Sequence, residues 1–539
     1  MRKSARLERE VEKDVRVKKD TRNYLFGVVV LSISAIFVKL IGLFYKIPML
    51  KLLGSEGMGY FNAAYEVYAL FCVISTAGVP IAMSVIISSY SDDKRGGALR
   101  VFSIAFKALL VIGVICTSVM LAFAYPFSHL LGEVKSVYAI LAIAPALFFA
   151  CLTGVYRGYF QGLSKMTPTA ISQFIEAACK LIFGLVFVCV ALRFGFKTEI
   201  VAAFAALGLV VGSVLSMLYL CITKKMSCDL SAKDGRDKSK IIKSLWHTSV
   251  PITISSAVLS VTRIIDMTMI IRRLQSAGYT STQAFSVYGS YTTLAVPLFA
   301  LAPALISAVA HPLIPRLGDA IALGDGEGQA SAANDAVRFT SLIAMPISMG
   351  ISLFSKEILE LLFSGQTAEI ELCAPLLSVL GMSVTLSCLV TVGNAMLQTY
   401  GRARIPMISM LVGSVTKIVV SYFLIGNASV SIMGAPISTL LCDLVINIIN
   451  FYYICKLIPG GIKVGKPLVR PFISALVAVL VAKITYGYFA AKYGGGTLQI
   501  LSFIGLAAVL YVPLILLLGT VSLSEISLRF KKENYSLQA

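Results

Sequence analysis

The stretch Phe37 to Tyr90 holds two apolar helices that nonetheless carry Lys39, Lys46 and Glu66. A lone charge at the centre of a bilayer costs about 2.5–3.5 kcal/mol, so these side chains need partners or a wet cavity. Lys39 and Lys46 are seven residues apart and share a helix face, and Glu66 falls in the next span, where it can look back at them. The chemistry on offer is cations presented to an anionic substrate. In the apolar run from Leu245 to Leu274, Arg263 and Asp266 are three apart, with Arg272 towards the end. This supports either an internal Arg–Asp pair that locks helices together or a cationic lining shared with Lys39 and Lys46. Glu176 and Lys180 stand in the Glu-before-Lys i,i+4 order of a self-contained ion pair. Lys417 and Asp443 either pair with each other, or Asp443 holds a coupling cation or proton. Lys107 lies close enough to a span end to snorkel, and Lys483, deeper in its span, either snorkels or meets a lipid headgroup.

The elements that position these residues are membrane spans. Of 539 residues, 57% are hydrophobic and 14% charged, a composition that excludes an ordinary soluble domain. Apolar runs between residues 24 and 519 predict an all-α polytopic membrane protein with fourteen transmembrane helices. The net charge of +20 would point to nucleic acid in a soluble chain, but here the Lys and Arg collect in the tails and alternate loops. That positive-inside pattern puts both termini in the cytoplasm and removes the case for a nucleic-acid partner. The eleven Cys are mostly in apolar runs without a CxxC pair and read as reduced packing residues. The three His are far apart, which argues against a metal site, and no loop gathers a catalytic set or a nucleotide-binding Gly loop.

The basic segment Thr223 to Lys243 divides the spans into similar halves. An offset of 223 pairs Tyr65 with Tyr288, Tyr68 with Tyr291, Pro80 with Pro303 and Ser84 with Ser307. An offset of 237 pairs Gln161 with Gln398, Lys165 with Arg402, Ser172 with Ser409 and Lys180 with Lys417. Two such runs in the same order indicate a duplicated six-span unit of parallel topology. The expected organisation is a cytoplasmic tail at 1–22, a lobe of spans 1–6 at 23–222, a basic linker at 223–244, a pseudo-symmetric lobe of spans 7–12 at 245–456, spans 13 and 14 at 457–520 and a cytoplasmic tail at 521–539.

Three segments carry a resemblance. Gly158 to Lys180, GYFQGLSKMTPTAISQFIEAACK, resembles the signature of the stage V sporulation protein B type of polysaccharide exporters. The opening stretch is similar to the same group's pattern through Gly42, Tyr45, Ile47, Pro48, Leu52, Gly54, Glu56, Gly57, Gly59 and Tyr65. His311 to Gln329 is similar to its segment between spans 8 and 9. The superfamily includes the MurJ lipid II flippases and the MATE drug exporters. The resemblance implies a V-shaped two-lobed fold, alternating access and movement of undecaprenyl-pyrophosphate-linked saccharide to the outer leaflet of a bacterial cytoplasmic membrane. It implies no enzyme activity and no cofactor beyond a possible coupling cation or proton. In the flippases an Arg-x-x-Gly-x-x-Arg pattern in the first span is thought to meet pyrophosphate; Lys39 and Gly42 match its first part, while the second Arg falls on Tyr45 with Lys46 beside it. Of the family's sodium-site acids in spans 7 and 11, the first has Asp266 as a counterpart and span 11 offers no acid, so sodium coupling is not carried over.

The expected substrate-binding set is therefore Lys39, Lys46, Glu66, Arg263, Asp266 and Arg272, with Glu176, Lys180, Lys417 and Asp443 as secondary cavity or ion-pair residues and no metal site. The expected partners are a lipid-linked oligosaccharide and membrane lipids, the chain acting as a monomer. The substrate's identity stays open between lipid II, a teichoic or capsular precursor and a spore-specific glycan. The rival readings are a MATE-type drug/cation antiporter, for which the cavity is too basic, a membrane-embedded glycan polymerase or ligase, for which the outer loops are too short, and a non-transporting scaffold.

Overall fold

The structure, a computed structural model, describes residues 2–89, 94–227, 238–310, 313–458, 461–462, 465–494 and 496–519. Every regular element among them is helical, as lipid requires of backbone that has no water to bond. In order these are α1 (Arg2–Thr76), α2 (Gly78–Ser88), α3 (Lys94–Ala122), α4 (Ala124–Leu131), α5 (Val137–Gly162), α6 (Met166–Arg193), α7 (Thr198–Ser227), α8 (Lys238–Ser276) and α9 (Ser281–Ser290). Then follow α10 (Val296–Ala310), α11 (Leu313–Ala322), α12 (Gly326–Leu353), α13 (Ser355–Leu362), α14 (Thr367–Thr399), α15 (Arg404–Ile425), α16 (Gly434–Leu457), α17 (Gly465–Tyr493) and α18 (Thr497–Leu517). The expected linker core at 228–237 and the tail at 521–539 lie outside the described residues.

Thirteen helices among the described residues are long and apolar enough to cross a membrane. The first of these, Ser34–Ser88, has 55 residues. At 1.5 Å per residue it is about 80 Å long, more than twice the ~30 Å hydrocarbon core. It is broken at Gly54 (φ 68°, ψ 177°) and so supplies two passes, giving the fourteen crossings expected. No loop separates the two apolar helices read from this stretch: the helix continues up to Gly54 and resumes at once. A residue without a Cβ adopts that backbone at little cost, so one position does the work of a loop. Prolines punctuate the other helices in two ways. Pro145, Pro251, Pro303, Pro346 and Pro375 sit inside continuous helices. Pro80 and Pro436 occupy the first turns of α2 and α16, where the missing N–H has no helical acceptor to lose.

The helices pack into two compact units. The first is Met1–Arg272 with Thr280–Gly289, and the second is Arg273–Tyr279 with Ser290–Ala539. Most of α8, expected at the head of the second lobe, thus packs with unit 1. Gly78 of α2 lies against the Ser249 backbone of α8, an approach that any side chain there would block. The core of unit 1 gathers Met83, Phe102, Val155, Tyr156, Tyr159 and Phe160 from α2, α3 and α5. That of unit 2 gathers Ile306, Val337, Val384, Cys388, Val392 and Ile454. The two C-terminal spans close on α12 within unit 2 through Ala475, Ala478 and Tyr511, whose hydroxyl donates to the Leu342 carbonyl at 2.9 Å.

The segment expected as a loop between spans 8 and 9 contains α11 and a helix cap. Asp325 accepts a hydrogen bond from the Gly328 N–H at 3.0 Å, and the Gln329 side chain bonds both the Ala320 carbonyl (3.3 Å) and the Tyr400 hydroxyl (2.9 Å). The run of Gly and Asp that marks this motif is thus the N-terminal cap of α12.

Candidate functional site

In unit 1 the helices α1, α6 and α7 converge around Lys180 of α6. Its ammonium lies 4.7 Å from the ring centre of Tyr65, 5.2 Å from Tyr45 and 5.5 Å from Phe61, all three carried by α1. Tyr45 and Phe61 are fully buried, whereas Tyr65 is 37% exposed, so the cage has one open wall. The rings brace one another, with centroids 6.0 Å apart for Tyr45 and Phe61 and 6.4 Å for Phe61 and Tyr65. Each ring face attracts the ammonium by about 0.5–2 kcal/mol, yet none accepts a hydrogen bond as an oxygen would. Small residues admit the cage. A Cβ on Gly184, one turn beyond Lys180, would stand 3.0 Å from the Tyr45 hydroxyl, and one on Gly208 of α7 would stand 2.5 Å from the Gly184 nitrogen. The α6 and α7 backbones therefore touch where the Tyr45 ring needs room.

A charged network lies one turn away on the same helix. The Arg157 guanidinium, from α5, donates to Glu176 at 2.8 Å, to the Ser172 hydroxyl at 2.9 Å and to the Ser216 hydroxyl of α7 at 3.3 Å. Ser216 in turn donates to the Ser172 carbonyl at 3.0 Å. This corrects the expected Glu176–Lys180 pair: Glu176 bonds Arg157, and Lys180 goes to the aromatic cage. The reason is reach and geometry, since a planar guanidinium from a neighbouring helix serves a carboxylate and two hydroxyls at once.

The other expected residues are distributed unevenly. Lys46 is half-buried and within electrostatic range of Glu66 and Lys180. Glu66 and Arg263 are within that range of Tyr65. Lys46, Glu66, Glu176, Lys180 and Arg263 therefore share the surroundings of one cage. Arg263 is exposed and donates to Ser260, one turn back on α8, at 3.1 Å. Asp266 is half-buried on the same helix. Lys39 is exposed on α1 and makes no hydrogen bond or ion pair among the described residues. Arg272 is used elsewhere, donating to the Leu130 carbonyl at 3.1 Å and tying α8 to α4.

Unit 2 repeats the layout around Arg157 and Ser172 without its ion pair. The offset of 237 that matches Ser172 with Ser409 also sets Arg157 opposite Asn394 and Glu176 opposite Gly413. Ser409 donates to Asn450 at 2.7 Å, and Asn450 donates to Asn394 at 2.8 Å, an amide network where unit 1 has an ion pair. Asp443 accepts from Ser383 at 2.8 Å and has Lys417 within electrostatic range.

Sequence reasoning missed Arg157 and the three rings. A charge normally ends an apolar run, which puts Arg157 in a loop, although α5 continues to Gly162. The constant offset from Gln161 and Gln398 back to Arg157 and Asn394 was the available signal. The aromatics carried none, since rings at helical spacing are usually packing residues.

Lys483, whose role the sequence left between snorkelling and a headgroup, is ion-paired with Glu357 of α13 and lies 5.0 Å from the Phe354 ring centre. The Glu357 side chain is only 12% exposed. Replacing Lys483 by Met strands a buried carboxylate and is expected to destabilise the protein by about 2 kcal/mol, after allowing for a lysine one-third exposed. Adding Glu357→Gln should return most of that loss in thermal unfolding of the detergent-solubilised chain, and additive effects of the two changes would refute the pairing.

A family profile described as polysaccharide biosynthesis protein matches residues 25–320, and one described as MatE matches residues 251–423. The chain is 24% identical over 459 residues to stage V sporulation protein B of Bacillus subtilis (strain 168), covering 83% of this chain and 86% of that one. It is 25% identical over 422 residues to the lipid II flippase MurJ of the same organism, covering 74% and 77%. Among solved structures, lipid II flippase MurJ in an inward closed conformation is similar with a TM-score of 0.69 at 14% identity, covering 90% of this chain and 98% of that one. An inward-facing MATE multidrug resistance transporter of the MOP superfamily reaches 0.60 at 16% identity, covering 78% and 97%. These structural likenesses establish the fold.

Proposed function

The chain belongs to the polysaccharide biosynthesis protein family, and from that premise we propose that it flips an undecaprenyl-pyrophosphate-linked saccharide across a bacterial cytoplasmic membrane by alternating access. The family is the one that the Gly42–Tyr65 and Gly158–Lys180 motifs resemble. Its coarse function follows from the matches: a multi-pass membrane protein of the flippase and exporter kind, and not an enzyme. The finer reading rests on one observation, the Lys180 ammonium held against three aromatic faces with no hydrogen-bond acceptor among the described residues. A cation so placed has N–H donors left for a ligand, and the ligand it favours is an anion. Lys46 and Arg263 add to the positive field beside it and Glu66 offsets part of it, while Arg157 balances Glu176 and keeps that second carboxylate from opposing them.

A pyrophosphate-linked saccharide has a strongly anionic head, a polar glycan and a long prenyl tail. The head would meet the lysines and the tail would stay in lipid. An apolar cavity of about 550 Å³ between α12, α17 and α18, lined by Ile347, Phe354, Val479, Ile504 and Tyr511, suits a prenyl segment. The reading includes both termini in the cytoplasm, action as a monomer and an unassigned coupling ion. The MatE match over residues 251–423 favours a second reading, export of organic cations. Cations crowd the site, which disfavours such cargo.

The test is flipping of a fluorescent pyrophosphate-linked disaccharide in proteoliposomes. The wild-type chain should move it, and the Lys39→Gln/Arg263→Gln double variant should lose that activity while still inserting and unfolding at the wild-type temperature. Full activity in the double variant would refute a role for those two cations. Transport of organic cations with no movement of the lipid would favour the second reading.

A further inference from the structure

A second cavity in unit 1, of about 620 Å³, shares no residue with the Lys180 cage. It lies between α3 and the first half of α8, with the end of α1 and the start of α2 behind it. Arg100, Lys107 and Lys238 line it, and no acidic residue does among the described residues. The snorkelling expected of Lys107 therefore has a destination: its side chain borders a cavity that two other cations share.

The lining runs along both helices from cations nearer their starts to apolar residues at the far end. Lys238 is the first residue of α8, and Arg100 lies about 9 Å along α3 at 1.5 Å per residue. Trp246 follows about 12 Å into α8 and is 71% exposed, as expected of an indole at the level of lipid headgroups. Deeper still the walls are apolar, with Ile112 and Ile254 each about 25 Å from the start of its helix. Lys107 stands about 20 Å along α3, deeper than Trp246, and its four-carbon stem is long enough to carry the ammonium back towards the headgroup level. Two cations near the helix starts, an exposed indole, a lysine able to snorkel and apolar walls beyond complement a lipid with a negatively charged head. We propose that this cavity binds an anionic glycerophospholipid of the surrounding bilayer, its phosphate among Arg100, Lys107 and Lys238 and an acyl chain along Ile112 and Ile254. The bound lipid would bridge α3 and α8, the helix that carries Arg263. Nothing in this proposal depends on the transported substrate.

Trp246 is the single tryptophan of the chain and makes the test direct. The full-length protein is reconstituted in phosphatidylcholine bilayers doped with phosphatidylglycerol or phosphatidylcholine brominated on the acyl chain, and Trp246 quenching is followed. Each cation near the headgroup is expected to favour the anionic lipid about fivefold, so wild-type quenching should reach its midpoint at a mole fraction of brominated phosphatidylglycerol at least about tenfold lower. Arg100→Gln/Lys107→Gln/Lys238→Gln should erase the difference, and Lys107→Arg/Lys238→Arg should keep it. Single Lys107→Gln and Lys238→Gln chains, each shifting the midpoint by about fivefold, carry the same test should the triple variant fail to insert. Equal midpoints for the two brominated lipids in the wild type would overturn the proposal, as would a preference that survives the neutralised variants. Relief of quenching by undecaprenyl phosphate at a lower mole fraction than unlabelled phosphatidylglycerol would overturn it too, by making the cavity a carrier site.

Discussion

Lys180→Met is expected to cut the rate of flipping of a pyrophosphate-linked saccharide by roughly 30- to 5,000-fold, while the protein keeps its helical content and its unfolding temperature. The range follows from the about 2–5 kcal/mol lost when one partner of a desolvated, hydrogen-bonded charge pair is truncated. Stability should hardly change. Lys180 is half-buried and its partners in the fold are three ring faces, against which a thioether also packs well. Lys180→Arg separates charge from shape, because a guanidinium keeps the cation and stacks on the rings but puts its donors in a different plane. Partial activity is expected of it. Tyr65→Ala opens the one exposed wall and should leave folding intact while weakening transport. Wild-type rates in Lys180→Met would remove the cage from the mechanism, and the anion would then have to be held by Lys39, Lys46 and Arg263.

Arg157→Met should do the opposite, acting on stability first. The guanidinium is shared among Glu176, Ser172 and Ser216, and the side chains of Arg157 and Glu176 are 21% and 25% exposed. Removing it leaves a largely buried carboxylate facing two hydroxyls, with an expected cost of about 3 kcal/mol. The decisive comparison is the double variant Arg157→Met/Glu176→Gln. If the loss comes from the stranded charge, the second change restores most of the unfolding temperature. The amide network of Asn394, Ser409 and Asn450 in unit 2 shows that the same helix crossing can be held by neutral groups. Arg157→Asn/Glu176→Gly, which writes the unit 2 residues into unit 1, should therefore fold. A single Arg157→Met variant as stable as wild type would mean that Glu176 finds another partner, Lys180 being the nearest in sequence.

These two predictions concern residues that differ in how readable they were. Lys180 stood out because a lysine in an apolar span is costly, and its match with Lys417 placed it in the duplicated unit. Its surroundings were invisible, since Tyr45, Phe61 and Tyr65 read as ordinary packing residues. Arg157 was lost at a span boundary, because hydropathy ends a span at the first charge, whereas a helix with an ion pair waiting on its neighbour continues.

The all-helical fold, the fourteen crossings and the family were legible in the chain alone, for a physical reason. Lipid forces each span to satisfy its own backbone and to be apolar over about twenty residues, so each crossing is written locally. Pairing of charges is not local. Glu176 met Arg157, 19 residues away, and not Lys180 at four; Lys483 met Glu357, 126 residues away. Arg100 and Lys107 came to share a cavity with Lys238 only because α3 and α8 lie together. Which cations are neutralised, which lie against aromatic faces and which line a cavity depends on the few ångströms between neighbouring helices, and only the tertiary structure decides that.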